Sequence, residues 1–274
     1  MFSDESGRLA NAPAVETIRA AIRGCKHLRE EGIINAQNVE KGVLDSQQGH
    51  WEKMYTENVD MFGKEPSYPA RSAVKIFGKG NAQKILELGS GQGRDTLFFA
   101  RHGFRVCALD YSHEGLDTIE TKADIIGVSP SLTTIYHDVR WRLPFDDNFF
   151  DGCYSHMLYC MALTTPELEL LSQEVHRVLK PGSLNIYTVR HTADPHYRTG
   201  IHRGDNMWEI GGGFIVRFFS KERVEHLAKG YAIVSVEEFE ETNLPKKLFL
   251  VTLKKADSRG ISPAPDDFNP KSAS

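Results

Sequence analysis

The sequence is poor in cysteine, in long apolar runs and in excess charge of either sign. Only four of its 274 residues are cysteine, and none forms a C-x-x-C pair, which argues against the common zinc and disulfide frameworks. No apolar run approaches the roughly 20 residues of a membrane-spanning helix. The formal net charge of −4 gives no compositional basis for binding nucleic acid. Without a secretory leader pattern, we expect a cytoplasmic protein.

Signatures of familiar hydrolases are also missing. The chain has no G-x-S-x-G, no H-E-x-x-H and no recognisable pair of catalytic carboxylates. What remains is an ordinary globular composition, 40% hydrophobic and 26% charged, in a chain long enough for one large α/β domain.

The most informative stretch is residues 84–100, which reads KILELGSGQGRDTLFFA. A short apolar run over 85–88 predicts a buried strand, and an apolar-periodic helix follows from about residue 94. Between them lies the glycine turn, Gly89 to Gly93. Its spacing matches neither the G-x-G-x-x-G dinucleotide site nor a phosphate loop. Glycines nevertheless allow backbone to approach a ligand closely, and a helix start offers free N–H groups.

A second strand, predicted over 105–109, ends in Asp110. An acidic residue at this point, about 20 residues beyond a glycine turn, is placed to accept hydrogen bonds from a ribose diol. The alternative is a surface aspartate after an ordinary strand–helix turn. Because the turn and the acid occur together at this separation, we favour a nucleotide-like ligand.

Further along, apolar runs and helical periods alternate. Strands are predicted over 84–88, 105–109, 132–136, 150–155 and 183–189, and helices over 94–102, 113–126 and 166–178. This alternation predicts a Rossmann-like α/β domain, with a parallel sheet and helices on both faces. A ligand should bind beyond the carboxyl ends of the strands, where Glu87, Gly89, Gly91, Asp110 and Asp138 are expected to meet.

At this point the chain resembles the class I S-adenosylmethionine-dependent methyltransferases. The matching pieces, which span roughly residues 84–190 in the family's order, are Glu87–Gly93, Leu109–Ser112, His137–Val139, Leu143–Phe145, Phe150–Gly152 and Arg177–Gly182. It is most similar to the small-molecule, type 11 branch, which includes tellurite- and thiol-methylating enzymes. The resemblance implies a seven-stranded, mostly parallel sheet with an antiparallel last strand, so 231–239 and 247–253 are expected to be the final pair.

The resemblance also implies the cofactor, S-adenosyl-L-methionine, with S-adenosyl-L-homocysteine as product. Asp138 would accept from the adenine amine, Val139 would offer its backbone N–H, and Tyr111 would pack on the adenine face. For Asp138 the alternative is a turn or helix cap. The full set expected to bind the cofactor is Glu87, Gly89, Ser90, Gly91, Gly93, Asp110, Tyr111, Asp138, Val139, His156, Trp51 and Tyr55.

Two pairs of residues extend this expectation toward the reacting methyl group. Trp51 and Tyr55, four apart on one helix face, would fold over the cofactor as in related small-molecule enzymes, or would fill core. His156 and Tyr159 follow the fourth strand, beside the methionine end of the cofactor, and are the catalytic candidates. The alternative for this second pair is a backbone contact only.

The predicted domain plan has a helical extension over residues 1–48, the methyltransferase domain over 49–254 and a disordered tail over 255–274. The helix expected at Ala14–Glu31 would pack on the domain, cap the active site or contact a second copy. Within the domain, 190–220 is an insertion of the kind that forms lids and binding loops. Its candidate acceptor contacts are Arg190, His191, Arg198, His202 and Trp208. Its histidines are not accompanied by the acidic or thiolate ligands that a metal site needs, so no metal is expected.

The sequence therefore predicts an S-adenosylmethionine-dependent methyltransferase acting on a small molecule, as a monomer or homodimer without nucleic-acid or membrane partners. Two alternatives stay open. One is a methyltransferase of protein or RNA, and the other is a non-catalytic regulatory protein that binds the cofactor.

Overall fold

The computed structural model describes residues 41–241 and 246–257. Its α-helices are α1 (Lys41–Asp45), α2 (Gln47–Glu57), α3 (Tyr68–Lys79), α4 (Arg94–Arg101), α5 (His113–Ile126), α6 (Thr165–Val178) and α7 (Lys221–Leu227). The strands are β1 (Lys84–Leu88), β2 (Arg105–Asp110), β3 (Leu132–Tyr136), β4 (Phe150–His156), β5 (Leu179–Arg190), β6 (Ile201–His202), β7 (Met207–Glu209), β8 (Ile215–Arg217), β9 (Tyr231–Glu241) and β10 (Lys246–Lys255). Short 3-10 helices lie at Ser129–Ser131 and Leu158–Cys160.

Seven strands form one sheet in the order β3-β2-β1-β4-β5-β10-β9. The first five in sequence pair in parallel, whereas β10 is antiparallel to both of its neighbours, β5 and β9. The strand order reverses between β1 and β4, so the loops after these strands diverge and leave a crevice at the carboxyl edge. The predicted fold class, including the antiparallel last strand, is confirmed.

Alternation along the strands gives the sheet two apolar faces. On β1, Leu86 and Leu88 pack on one face, in a cluster that includes Leu171 of α6. Ile85 packs on the other face, with Phe99 of α4 and Ile119 of α5. Because side chains alternate along a strand, both faces bury an apolar layer and need helices to cover them. The helices on the two faces therefore fix the carboxyl edge as the open side of the domain.

Two regions differ from the predicted elements. Strand β5 begins at Leu179, not at 183, and continues through Lys180–Pro181–Gly182, with a register shift against β4 between Phe150 and Gly152. The insertion expected to be a loop contains a second small sheet, in the order β6-β7-β8. Strands of two or three residues carry too little periodicity to be recognised in a sequence.

Of the predicted N-terminal extension, only its last residues, 41–48, belong to the described part, where they form α1 and the start of α2. The helix expected at Ala14–Glu31 lies outside the described residues, as does the tail beyond residue 257. The boundaries of the three predicted domains therefore stay predictions.

Candidate functional site

The glycine turn joins β1 to α4 in a conformation that favours glycine. Gly89, Gly91 and Gly93 all have positive φ, at 68°, 52° and 83°. At Gly91 a Cβ atom would lie 2.8 Å from the hydroxyl oxygen of Tyr55, so the close approach of α2 also depends on the missing side chain. The N–H groups of Gly89 and Ser90 donate to the carbonyl of Leu109, so the turn is fixed against the end of β2.

Asp110, the last residue of β2, is bound to this turn. Its Oδ2 atom accepts from the backbone N–H of Gly91 at 2.8 Å, and its Oδ1 atom accepts from the N–H of Ser112 at 2.9 Å. The side chain is only 6% exposed, and burial raises the pKa of Asp110 to about 6. A buried carboxylate fixed at a strand end can accept further donors, such as a ribose diol.

A cleft opens beside this carboxylate, between the ends of β2 and β3. Its lining includes Gly89, Asp110, Tyr111, Asp138 and Val139. The sequence predicted that these five residues would share one ligand, and the structure brings them together. The cleft is also lined by Leu44, Gln47, Leu109, His137, Arg140, Leu158, Met161, Ala162 and Leu163.

Asp138 has a partner that the sequence analysis missed. Arg140 donates to Asp138 Oδ2 through Nε at 2.9 Å and through Nη2 at 2.6 Å, and its backbone N–H donates to Oδ1. The carboxylate is therefore held in one orientation at the cleft. An acid two residues before an arginine was visible in the sequence, but the spacing alone does not show that the loop turns back on itself.

Two buried polar atoms near the turn have no hydrogen-bond partner within the described residues, Glu87 Oε2 and Ser90 Oγ. Glu87 is 3% exposed, and burial raises its pKa well above the usual range of a carboxyl group. Buried polar atoms are normally paired, so unpaired ones at a glycine turn fit a polar ligand that would supply the missing bonds. These residues therefore fit the amino acid or ribose part of an adenosyl ligand.

Helix α2 lies across the same loops. Gln48 donates to the carbonyl of Tyr111 at 3.1 Å, and Glu52 accepts from the backbone N–H of Glu114 at 3.1 Å. Tyr55 is buried against Gly91, and its own carbonyl accepts from Gln92. One face of α2 is thus fastened to the loops after β1 and β2, next to residues that the sequence predicts to bind the cofactor.

Trp51 lies on α2 beside Tyr55, with 5.5 Å between ring centroids, and also contacts Phe214 at 4.7 Å and Phe62 at 6.2 Å. Tyr55 thus faces the glycine turn, while Trp51 faces the insertion. The two aromatic rings therefore lie between the loop after β1 and residues 190–220.

Gln47, at the start of α2, connects this helix to the small sheet. Its Nε2 atom donates to the carbonyl of Gly213 and its Oε1 atom accepts from the N–H of Ile215, both at 3.1 Å. Leu44, Met207 and Ile215 share a separate apolar cluster next to this contact. Helices α1 and α2 and the small sheet are therefore joined into one layer, which contributes Leu44 and Gln47 to the cleft and which we call the roof.

His156 ends β4 and is fixed from two sides. Its Nδ1 atom lies 2.9 Å from Thr188 Oγ1, and its Nε2 atom lies 3.6 Å from Glu241 Oε1. The hydrogen bond with His156 lowers the pKa of Glu241 to about 2. Because Glu241 ends β9, this contact crosses β10 and β5, and it places an ionised carboxylate beside the carboxyl edge of β4.

Tyr159 does not lie at the cleft. Its ring is 1% exposed and stacks on Tyr187 at 4.4 Å inside the apolar core. The 3-10 helix at Leu158–Cys160 turns Leu158 toward the cleft and Tyr159 away from it. The expectation that Tyr159 reaches the methyl donor is therefore corrected, since its position is that of a core residue.

The five predicted acceptor contacts lie in different environments. Arg190 is 2% exposed and forms an ion pair with Asp194 at 2.5 Å, so its guanidinium is occupied in holding the loop. His191 is buried against Phe249 at 4.5 Å. Arg198 and His202 are exposed, and His202 packs on Trp208 at 4.6 Å. Arg190 and His191 are thus structural in this position, which the sequence could not show.

Comparison with known proteins agrees with this geometry. A family model described as a methyltransferase domain matches residues 85–182. A solved structure of 1,6-didemethyltoxoflavin-N1-methyltransferase from Burkholderia thailandensis superposes with a TM-score of 0.63 at 17% identity, covering 83% of this chain and 93% of that one. At this identity the likeness shows the fold.

The chain thus matches a methyltransferase domain over residues 85–182, within a fold that it shares with a solved methyltransferase. Its matched region contains the glycine turn, Asp110 and Asp138, the residues that the structure gathers around the cleft. The family expected from the sequence is thereby confirmed.

Among curated relatives, the chain is 31% identical over 167 residues to 24-methylenesterol C-methyltransferase 2 of Arabidopsis thaliana, covering 53% of this chain and 45% of that protein. It is 30% identical over 133 residues to phosphatidylethanolamine N-methyltransferase of Cereibacter sphaeroides, covering 48% and 62%. The chain therefore spans about half the length of the curated relatives it matches.

The described part of the chain contains neither a membrane-spanning helix nor a metal-ligand cluster. None of the described helices is both long and apolar enough to cross a bilayer. Across residues 41–241 and 246–257, no three His, Cys, Asp or Glu side chains are grouped as metal ligands.

Proposed function

We propose that the protein transfers a methyl group from S-adenosylmethionine to a small-molecule acceptor. The observation that carries this proposal is the buried Asp110 carboxylate bound to the Gly91 N–H at the switch point of a class I methyltransferase sheet. When bound, S-adenosylmethionine supplies a methyl group already activated on a sulfonium.

The residues of the chain then have to bind the cofactor and the acceptor, orient them for transfer and exclude water. Asp110 would accept from the ribose hydroxyls, while Asp138 and the backbone N–H of Val139 would read the adenine edge. Glu87 and Ser90, whose buried oxygens are unpaired among the described residues, would bind polar groups of the cofactor. Since in-line transfer requires close approach more than a strong catalytic group, positioning accounts for most of this chemistry.

On the acceptor side we propose His156 as the side chain nearest to the reacting groups. Thr188 and Glu241 fix its ring from two sides. This pair can therefore take up or hold a proton from an acceptor that loses one. Trp51, with Phe214 against it, would keep water from the transfer path.

A small acceptor is supported by the roof over the cleft. Helices α1 and α2 are joined to the small sheet through Gln47, which covers the surface beside the cofactor loops. The names of the relatives refer to a methylenesterol, phosphatidylethanolamine and 1,6-didemethyltoxoflavin, all of them small compared with protein or RNA. Arg198, His202 and Trp208 remain our proposed acceptor contacts.

We also propose a cytoplasmic location. Cys107, Cys153 and Cys160 are buried free thiols, the state expected in a reducing compartment. We expect no nucleic-acid or membrane partner, and we expect the protein to be a monomer or a homodimer.

The direct test is transfer of a labelled methyl group from S-adenosylmethionine. Small-molecule, protein and RNA fractions of a cell extract are supplied separately, with Asp110→Ala as the inactive control. We expect label in the small-molecule fraction only, and with the wild type only. Label in protein or RNA would overturn the choice of acceptor. Tight cofactor binding without transfer to any fraction would instead favour a regulatory protein.

A further inference from the structure

Arg140 binds two carboxylates that belong to different parts of the fold. Its Nε and Nη2 atoms chelate Asp138 in the loop after β3. Its Nη1 atom forms an ion pair with Asp45, the last residue of α1. The Arg140 and Asp138 side chains are 18% and 19% exposed, and Asp45 is 44% exposed. The three charged side chains, Asp45–Arg140–Asp138, therefore connect the roof to the loop after β3, which we call the floor of the cleft.

Asp138 and Arg140 line the cleft, and so do Leu44 and Gln47, which flank Asp45 in the sequence. A ligand seated between them is therefore covered by α1 and the start of α2.

We propose that Arg140 is a positioning residue that orients Asp138 for the adenine ring and, through Asp45, fastens the roof over it. The inference rests on the proposed cofactor. In this arrangement the Asp45–Arg140 pair breaks whenever the roof lifts for cofactor exchange. The exposed end of these three side chains, at Asp45, is the weaker link, because partly exposed ion pairs are screened by water and salt. The Arg140–Asp138 chelate stays with the floor.

A second arginine in the same domain provides a matched control. Arg177 is 17% exposed, pairs with Glu174 at 2.6 Å and also pairs with Asp147, which is 66% exposed. We call the Asp45–Arg140–Asp138 set the latch. Arg177 resembles Arg140 in this set, because each arginine lies between a less exposed and a more exposed carboxylate. None of Arg177, Glu174 and Asp147 lines the cleft.

The test is the dissociation rate of S-adenosylhomocysteine from the wild type, Asp45→Asn and Asp147→Asn, measured by stopped-flow displacement. Asp45→Asn should dissociate about two- to fivefold faster, the range for a partly exposed ion pair. Asp147→Asn should match the wild type. The wild-type rate should rise with added NaCl, and the rate of Asp45→Asn should rise much less.

The role of the Arg140 fork is tested by Arg140→Lys, which keeps the charge but cannot chelate a carboxylate through two nitrogens. This variant should bind S-adenosylhomocysteine more weakly than Asp45→Asn, because Asp138 is no longer oriented. Equal rates for Asp45→Asn and wild type, or an equal acceleration in Asp147→Asn, would overturn the latch and leave the proposed function intact. A wild type that binds no S-adenosylhomocysteine would overturn both.

Discussion

The carboxylate of Asp110 at the end of β2 accepts a hydrogen bond from the backbone N–H of Gly91 at 2.8 Å. Gly91 lies in the turn after β1 and Asp110 is the last residue of β2, so this bond fixes the glycine turn relative to the second strand. The expected ribose acid and the expected cofactor turn are thus one structural unit. A ligand bound by one of them is necessarily held against the other.

This relationship predicts a pH dependence of cofactor binding. Burial raises the pKa of Asp110 to about 6, and ribose hydroxyl donors would favour its ionised form. Affinity for S-adenosylhomocysteine should therefore rise about fivefold from about pH 5 to about pH 6, rise about twofold more to about pH 7 and then level off. Titration calorimetry across this range measures it, with Asp110→Asn as the variant expected to show a flat profile.

The raised pKa of Asp110 affects the stability of the free protein in the opposite direction to cofactor affinity. Because the native state holds the Asp110 proton to higher pH than the unfolded chain does, the free energy of unfolding falls as the pH rises from about 4 to about 6. Cofactor-binding affinity that does not change with pH in the wild type would contradict an ionised Asp110 in the complex.

The close contact at Gly91 predicts a specific effect of adding one methyl group. In Gly91→Ala, strain at positive φ costs about 1 kcal/mol, and the new Cβ also displaces the Tyr55 hydroxyl 2.8 Å away. Gly103→Ala is the matched control, since Gly103 has φ of 84° and no atom of the described residues lies within 4 Å of the place its Cβ would take. Urea denaturation should show a larger loss of stability in Gly91→Ala, and only this variant should lose S-adenosylhomocysteine binding.

Removal of the clashing hydroxyl gives a second arm. Tyr55→Phe in the Gly91→Ala background should recover part of the lost stability, because the nearest ring carbon is 3.3 Å from the added Cβ. Equal losses in Gly91→Ala and Gly103→Ala would show that α2 does not press on the turn.

Gln47 is predicted to hold the roof together. It is 6% exposed, and Gln47→Ala leaves the buried Ile215 N–H without its acceptor, at a cost of about 1–3 kcal/mol. Hydrogen exchange should accelerate in both α2 and β8, which share this bond. Glu57→Ala, an exposed change on the same helix, should leave exchange in β8 unchanged. Faster exchange confined to α2 would contradict the coupling.

Local signals explain why much of the fold was predictable. Helix α5 has the predicted bounds, because Ser112 caps its start and Gly127 ends it in a left-handed conformation. The glycine turn and Asp110 were recognised because each lies directly after a short apolar strand. Asp138 and Val139 follow β3 in the same way.

The remaining site residues depend on contacts between distant parts of the chain. Arg140 reaches Asp45, and Glu241 reaches His156 only because β9 ends beside β4. Tyr159 was misplaced because a one-turn 3-10 helix decides which of two neighbouring side chains faces the cleft. Arg190 was expected to contact the acceptor, but the partner that occupies it, Asp194, was not predictable from charge alone.

The central claim is that this site binds the adenosyl cofactor through Asp110. Its most direct test is calorimetric titration of S-adenosylhomocysteine into the wild type, Asp110→Ala and the control Asp117→Ala, which alters an exposed acid on α5. We predict micromolar-range binding by the wild type and by Asp117→Ala, weakened in Asp110→Ala by about 1–3 kcal/mol, the value of hydrogen bonds to a charged group. A wild type that releases no heat of binding and shows no competition with S-adenosylmethionine would contradict the account.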